Sequence, residues 1–307
     1  MTGSPILFDR VSKNFGEVAA VVDLDFAVQP GRVTGFLGPN GAGKTTSLRI
    51  LLGLVAASAG TATIGGDAYL RLRHPMRSVG STLEVSFHPG LTGRGHLRVV
   101  TAATGIDRSR VDAVLEQVGM SEHADRRIGG YSMGMRQRLG LATALLGDPG
   151  VLVLDEPING LDPEGIRWIR GLLRTLADEG RTILLSSHLL TEVQQTVDDV
   201  VVIASGRQRY VGPLAALGAS TGPATVVDAA DRRALAAVLT LEGHEPVIGP
   251  DGLTVTGLDP DAVGRLALAA GIPLRALGAR SGGLEDDFLA LVSEPDAPDA
   301  PAEEVAP

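Results

Sequence analysis

The sequence predicts an α/β fold for residues 1–211, followed by a smaller α+β unit over residues 212–293. In the first region, short β-rich runs alternate with helical stretches, the order typical of a sheet with parallel strands. The runs VLVLD and TILLSS are continuously apolar, as expected of strands that are covered on both faces. From residue 224 the predicted order is β-α-β-β-α-β, which is the ferredoxin-like order, and a last helix follows.

The strand predictions leave one long gap in the first region. Residues from about 86 to 147 lack strong strand signals, so they are predicted to form a helical insertion between two strands of the sheet. Its helices are expected over residues 92–105, 108–119 and 132–146. The strands are expected at residues 6–11, 21–28, 33–38, 151–157, 182–187 and 200–205.

Composition excludes several classes of protein. The chain has 307 residues and no cysteine, so neither a disulfide framework nor a thiolate metal site is possible. It lacks a run near 18 apolar residues and an N-terminal signal pattern, so we expect neither a membrane span nor secretion. The net charge of −9 argues against a nucleic-acid partner. Residues 294–307 hold five acids and no base, which predicts a disordered acidic tail.

A glycine-rich segment follows the strand VTGFL and precedes an amphipathic helix. Its sequence GPNGAGKTT fits the phosphate-loop pattern G-x-x-x-x-G-K-[ST] in the structural context that the pattern requires. Backbone N–H groups turned inward and the helix N-terminus would bind phosphates. Lys44 is expected to bridge the β- and γ-phosphates, and the Thr45 hydroxyl to ligate Mg²⁺. The predicted nucleotide contacts are Gly38, Pro39, Asn40, Gly41, Ala42, Gly43, Lys44, Thr45 and Thr46.

Two acids end the apolar strand VLVLDE. A carboxylate at the end of a buried strand is costly unless it meets a cation, so Asp155 is predicted to hold Mg²⁺ directly or through water. Glu156 is then placed to orient and deprotonate an attacking water. Two solvated acids at a strand–loop junction are the alternative. His188 follows TILLSS and is predicted to donate a hydrogen bond to the γ-phosphate, although a lone histidine is usually structural.

The segment YSMGMRQR (131–138) opens a helix after two glycines. Ser132 is a good N-cap, and that alone explains its position. A second anion site, built from the helix N-terminus and the serine hydroxyl, is the functional interpretation. The residues alone do not favour one interpretation over the other.

Five segments together resemble the nucleotide-binding subunits of ATP-binding cassette (ABC) transporters, over about residues 5–211. GPNGAGKTT is similar to the Walker A motif, VLVLDEP to Walker B, and SMGMRQR to the signature usually written LSGGQ. NGLDP (159–163) resembles the D-loop, and SH (187–188) the switch-histidine loop. The segments YSMGMRQRL and LTGRGHL and the C-terminal unit look most like the drug-export and bacteriocin-resistance branch.

The resemblance implies a mechanism with ATP and Mg²⁺. Two such domains pair head to tail, with a homodimer expected, and Ser132 and Gly134 of one close on the γ-phosphate bound to Lys44 of the other. Phe15 matches the aromatic residue that stacks on adenine, and a core aromatic is the alternative. Glu156 and His188 are the expected catalytic residues. The chain would lie in the cytoplasm, on the inner face of the membrane, docked on a separate integral membrane permease.

Two positions depart from the family pattern. Met133 stands before Gly134 in the signature, where the consensus has Gly-Gly. Glu84 occupies the position of a glutamine that reaches Mg²⁺ and senses the membrane partner, so it is the third expected metal residue. A carboxylate there adds negative charge beside the ion.

We predict that Glu84→Gln changes the coupling of hydrolysis to transport more than it changes ATP affinity. The substitution removes the extra charge and restores the family's amide at this position. Transport and ATP binding are compared in membrane vesicles that hold the complete transporter. An equal loss of both would refute the coupling role of Glu84.

The expected function is therefore the ATPase subunit of an exporter of drug-like or peptide-like cargo. The alternative is an ABC-type protein without transport, which switches with nucleotide in DNA repair, translation or antibiotic sequestration. Such relatives usually carry two cassettes or a long coiled-coil insertion, and this sequence has neither.

Overall fold

The computed structural model describes residues 3–83, 86–217, 224–249, 252–280 and 284–293. Glu84 and the predicted tail at 294–307 lie outside these residues. The chain divides into two compact units, one formed by Met1–Gly212 with Leu291–Pro307 and one formed by Pro213–Ala290.

The first unit contains a nine-stranded sheet in the order β4-β1-β2-β9-β8-β3-β7-β6-β5. The central strands β3, β6 and β7 are entirely buried, which agrees with their apolar sequences. The strands are β1 Ile6–Phe15, β2 Val18–Val28, β3 Val33–Leu37, β4 Ala59–Ile64, β5 Val79–Thr82, β6 Val151–Leu154, β7 Thr182–Ser187, β8 Asp199–Ala204 and β9 Arg207–Pro213.

In the described residues, eight α-helices and three 3-10 turns precede strand β10. The last of these helices, α8, belongs to the second unit. The helices α3, α4 and α5 lie between β5 and β6 in sequence, where the helical insertion was predicted. The helices are α1 Lys44–Leu51, α2 Pro75–Ser78, α3 Gly93–Thr104, α4 Arg110–Gln117, α5 Met133–Leu145, α6 Pro163–Asp178, α7 Leu190–Val193 and α8 Leu214–Leu217, and the 3-10 turns are Tyr69–Arg71, Ser121–His123 and Ile128–Gly130.

Parallel pairing brings several strand ends to one edge of the sheet. Strand β3 pairs in parallel with β7 and β8, and β6 pairs in parallel with β5 and β7. Leu154 at the end of β6 lies opposite Leu185 of β7, and Leu37 at the end of β3 lies opposite Ser187. The carboxyl ends of β3, β6 and β7 therefore lie side by side, where ligands bind in open α/β sheets.

The sheet is mixed rather than parallel throughout. Strand β1 pairs antiparallel with β2 and with β4, a hairpin arrangement that the strand predictions did not include. Phe8 of β1 stacks on Phe26 of β2 with ring centroids 4.5 Å apart, and Phe26 lies 5.5 Å from Phe36. Such aromatic pairs contribute about 0.5–1.5 kcal/mol beyond the burial of their area. They join the antiparallel part to the central strand β3.

The second unit has a four-stranded antiparallel sheet in the order β11-β12-β10-β13. Two helices connect its strands in the β-α-β-β-α-β order, and their apolar faces form a core with the sheet around Val227, Leu235, Leu253 and Val263. Its elements are β10 Ala224–Ala229, α9 Arg232–Leu241, β11 Val247–Gly249, β12 Gly252–Thr256, α10 Pro260–Ala269, β13 Leu274–Arg280 and α11 Leu284–Ser293.

The length and polarity of the described helices decide whether any of them could span a membrane. Within the described ranges, every helix is too short or too polar to cross a bilayer. The longest, α6, has 16 residues and buries one face, which includes Ile169, Leu173 and Leu176.

Candidate functional site

The phosphate loop is shaped by backbone conformations that favour glycine. Gly43 has φ 100°, and a Cβ atom there would lie 2.5 Å from the carbonyl oxygen of Ala20. A residue with a side chain is therefore excluded at this position by both strain and contact. Gly43 is the N-cap of α1, and no side chain caps that helix start. The first N–H groups of α1 remain directed at the loop, where they can bind an anion.

Lys44 is the first residue of α1, and its side chain is only 6% exposed. Its Nζ donates to the carbonyl oxygens of Gly38 at 2.7 Å and Pro39 at 3.2 Å. The same Nζ lies 3.5 Å from Oε1 of Glu156. A buried ammonium needs such partners, because an unpaired charge is costly inside a protein. The contacts hold the positive charge at the mouth of the loop, where a phosphate would bind.

Asp155 is held by two hydroxyl groups. Thr45 Oγ1 donates to its Oδ2 at 2.7 Å, and Ser186 Oγ donates a short hydrogen bond to its Oδ1. The backbone N–H of Asp155 donates to the carbonyl oxygen of Thr82 at 2.7 Å. The carboxylate is therefore oriented from β7 and α1, while β5 holds the backbone of the same residue.

Glu156 lies at the centre of this cluster. Its φ of 48° is unusual for a residue with a side chain, and such strain often marks a functional position. Its N–H donates to Ser186 Oγ at 2.9 Å. Its Oε2 lies 3.0 Å from Nδ1 of His188, while Oε1 faces Lys44. The predicted base, the predicted switch histidine and the phosphate-loop lysine are thus in direct contact.

The donor atoms of this cluster suit Mg²⁺. Thr45 Oγ1 and the Asp155 carboxylate are hard oxygen ligands, hydrogen-bonded to each other. Mg²⁺ beside a nucleotide usually takes one or two protein oxygens together with phosphate oxygens and water. Across the described ranges, no group of three or more His, Cys, Asp or Glu side chains is arranged to hold an ion by itself. The site therefore fits a metal that arrives with phosphates.

The phosphate loop and Glu156 border one open cavity of about 240 Å³. Its lining combines the phosphate loop, from Pro39 to Thr46, with Ala20 and Glu156. Backbone N–H groups, an ammonium and a carboxylate therefore converge on a space at the carboxyl end of β3.

Ser132 and Gly134 lie in a different cavity, of about 480 Å³, beside Gly160 and Asp162. Ser132 caps α5, since its Oγ accepts from the N–H of Met135 at 3.2 Å. The N-cap interpretation is therefore correct, and the cap leaves the helix N-terminus open to this cavity.

Tyr131 and Met133 shape the same segment. Tyr131 is buried, and its hydroxyl donates to the carbonyl oxygen of His123 at 2.6 Å; this burial raises the pKa of the phenol. The Met133 side chain is 59% exposed and lies over Gly160, whose φ is 73°. A Cβ at Gly160 would lie 2.8 Å from Met133 Cγ, so methionine in place of the consensus glycine is accommodated by glycine opposite it.

Phe15 ends β1 and is 51% exposed, so the alternative of a core aromatic is wrong. The ammonium of Lys13 lies 4.9 Å from its ring centroid and donates to the carbonyl oxygen of Ala56 at 2.8 Å. One face of the ring is thus occupied by a cation. Phe15 does not line the cavity at the phosphate loop.

Among the predicted residues, the structure brings together Lys44, Thr45, Asp155, Glu156 and His188, and it places Ser132, Gly134 and Phe15 outside that cluster. Glu84 lies outside the described residues. Sequence reasoning missed Ser186, which it treated only as part of a strand. The available signal was a hydroxyl residue near the end of an apolar strand, two positions before His188.

Comparison with protein families gives two matches. A family described as "ABC transporter" matches residues 21–159, a span that includes the phosphate loop and the Asp155–Glu156 pair. A family described only as a domain of unknown function matches residues 223–285, within the second unit.

Several curated proteins are similar to this chain. The bacitracin transport ATP-binding protein of Bacillus licheniformis is 43% identical over 201 residues, which are 64% of this chain and 66% of that protein. The Nod factor export ATP-binding protein I of Burkholderia orbicola is 36% identical over 95% of this chain and 98% of its own length. A lantibiotic transport ATP-binding protein of Streptococcus pyogenes is 35% identical over 64% of this chain and 86% of its own length.

Solved structures share the fold. An ATP-binding subunit of an ABC transporter is 25% identical, with a TM-score of 0.62 over 69% of this chain and 91% of its own. The ADP-bound form of an ATP-binding cassette is 23% identical, with a TM-score of 0.61 over 69% of this chain and 92% of its own. These findings confirm the predicted fold class and the resemblance that the motifs indicated. The chain is a member of the ABC transporter family and one of its ATP-binding proteins.

Proposed function

We propose that two copies of this chain bind Mg²⁺ and ATP between them, hydrolyse the ATP, and thereby power export through a separate membrane permease. ATP-binding domains of this family hydrolyse ATP to drive transport. The observation that supports the proposal most strongly is the contact of Glu156 with both Lys44 and His188 at the rim of the phosphate loop. Binding, charge compensation and proton transfer require these three groups in one place.

Nucleotide binding begins with an exchange of partners. Lys44 Nζ, now bonded to two loop carbonyls and near Glu156, would turn to the β- and γ-phosphates. Thr45 Oγ1 and Asp155 would hold Mg²⁺, which supplies charge neutralisation for the phosphates when bound. The backbone N–H groups at the start of α1 would face the β-phosphate. Each phosphate charge thus meets a donor that the fold already holds in place.

Hydrolysis then needs a base and a hydrogen-bond donor at the γ-phosphate. Glu156 would accept a proton from the attacking water. The water oxygen would form a bond to the γ-phosphorus as the bond between that phosphorus and the bridging oxygen of ADP breaks. His188, 3.0 Å from the Glu156 carboxylate, would orient that carboxylate and donate to the phosphate. Products are ADP and phosphate, and Glu156 would then release its proton to solvent.

Closure of the site would come from a second subunit. The cavity with Ser132 and Gly134 presents the N-terminus of α5, which can accept an anion. We propose that this helix N-terminus faces the γ-phosphate bound to Lys44 of the other copy. The D-loop connects the two regions within one chain, because the N–H of Asn159 donates to the carbonyl oxygen of Glu156 and Gln137 of α5 donates to the carbonyl oxygen of Asn159.

The names of the relatives support a proposal for the cargo class. Their names associate them with bacitracin, lantibiotic and Nod factor transport, so we propose a peptide-like or drug-like exported compound. The chain would dock on the cytoplasmic face of the membrane, on a permease made by another polypeptide.

Purification from detergent-solubilised membranes tests this function. We expect a tagged chain to retain one specific integral membrane protein, and the complex in vesicles to accumulate cargo only with Mg²⁺ and ATP. Vesicles supplied with ADP are the control. Recovery of ribosomes or DNA instead of a membrane protein would refute the transport role, while leaving nucleotide binding intact.

A further inference from the structure

The hydroxyl of Ser186 occupies a special position in the cluster. Ser186 is fully buried near the end of β7, and the pairing of Leu154 with Leu185 brings Asp155 beside it. A buried hydroxyl costs free energy unless it is hydrogen-bonded, so its partners explain why serine is tolerated there.

Ser186 joins two consecutive acidic residues through a single oxygen. The N–H of Glu156 donates to Ser186 Oγ at 2.9 Å. Ser186 Oγ in turn donates its proton to Oδ1 of Asp155 in a short hydrogen bond. The direction of each bond is fixed, because a backbone N–H only donates and an ionised carboxylate only accepts. The single proton of the hydroxyl is therefore committed to Asp155, and one of its lone pairs to Glu156.

The two hydroxyls on Asp155 are not equivalent. Thr45 holds Oδ2, but in the proposed function its hydroxyl turns to Mg²⁺ when nucleotide binds. Ser186 is on a buried strand and faces Oδ1, so its bond can persist through that exchange. It would fix the rotation of the Asp155 carboxylate while Thr45 changes partner.

We propose that Ser186 is a positioning residue for the reaction: it orients Asp155 toward Mg²⁺ and holds the backbone of Glu156 in the conformation that aims its carboxylate at the attacking water. This inference rests on the proposed function of the site. The φ of 48° at Glu156 is unfavourable without compensation, and the bond to Ser186 supplies a partner for its N–H. One hydroxyl thus couples metal binding to the position of the base.

Ser186→Ala tests the inference. Hydrogen-bond partners of metal ligands typically affect metal affinity or activity by about 10–100-fold when removed. We expect kcat to fall by about that factor, with a small change in the KM for ATP. Binding of a fluorescent ATP analogue provides the second readout. In EDTA the affinity of Ser186→Ala for the analogue should stay within about twofold of that of the unmodified protein. The Mg²⁺ concentration that the variant needs for stronger binding should rise about 10-fold.

Two further variants make the test decisive. Thr182→Val removes another buried hydroxyl of β7, which donates to the carbonyl oxygen of Ser4 at 2.8 Å, and it should leave the Mg²⁺ titration unchanged. Ser186→Cys keeps the size of the side chain but bonds weakly, so its titration should fall between those of Ser186 and Ser186→Ala. If Ser186→Ala does not fold, the cysteine variant decides by the same titrations.

An Mg²⁺ titration of Ser186→Ala equal to that of the unmodified protein would overturn the inference, as would an equal loss of binding in EDTA and in Mg²⁺. Neither result would contradict the proposed ATPase function. Absence of hydrolysis in the unmodified protein with its membrane partner would instead refute the proposed function itself.

Discussion

Glu156→Gln is expected to lower the rate of ATP hydrolysis by at least about 100-fold while ATP binding is retained. General-base catalysis contributes about 10²–10⁴-fold, and the amide cannot accept the proton of the attacking water. Binding should persist, because glutamine has nearly the same shape and the change removes a negative charge 3.5 Å from Lys44. Less negative charge beside bound phosphates favours ATP. The rate of phosphate release and nucleotide affinity are measured on the same preparation.

Glu116→Gln provides the matched control for this variant. Glu116 is an exposed residue of α4, so the substitution makes the same chemical change outside the cluster. Its hydrolysis rate should equal that of the unmodified protein. A fully active Glu156→Gln protein would remove Glu156 from the role of base and would leave His188 as the neighbouring group to test.

Lys44→Ala is expected to abolish detectable ATP binding. The substitution removes a buried ammonium that the fold holds at the phosphate loop, and it leaves the carbonyl oxygens of Gly38 and Pro39 without that donor. Electrostatic stabilisation of phosphate charge by such a group is among the largest contributions at a site of this kind. Equilibrium binding of a fluorescent ATP analogue measures the loss, with circular dichroism to verify folding.

Lys44→Arg separates charge from geometry. The guanidinium keeps the positive charge but is planar and forked. The Lys44 side chain is only 6% exposed, so its surroundings leave little room for the wider group. We expect binding to be lost here as well. Arg108→Ala, which removes an exposed positive charge between α3 and α4, should bind ATP normally. Normal binding by Lys44→Ala would contradict the assignment of the loop.

Local pattern was sufficient to predict the phosphate loop and its helix. The GKTT segment follows a buried strand directly, so its glycines, its lysine and the helix start are close in sequence, and one short motif specifies all of them. Asp155 and Glu156 were predictable for a related reason. Two acids at the end of a continuously buried strand require a cation, and the motif upstream supplies the context.

Features that depend on long-range pairing were not predicted. The antiparallel pairing of β1 with β4 joins segments about 50 residues apart, and the strand signals in AGTATI are weak. Helix α6 was overlooked although Asp162 caps it and Pro163 begins it, both standard start signals. The contact of Ser186 with Asp155 depends on the register between β6 and β7, which neither strand specifies alone.

The most direct measurement is the molar mass of the Glu156→Gln protein by light scattering, with and without ATP. We propose that each phosphate loop is completed by Ser132 and Gly134 of a second copy. With ATP and Mg²⁺ we expect a particle of twice the 31.7 kDa chain mass that contains two ATP molecules, and single chains after nucleotide removal. Single chains of 31.7 kDa that still hold ATP when ATP and Mg²⁺ are present would show that one copy forms the whole site.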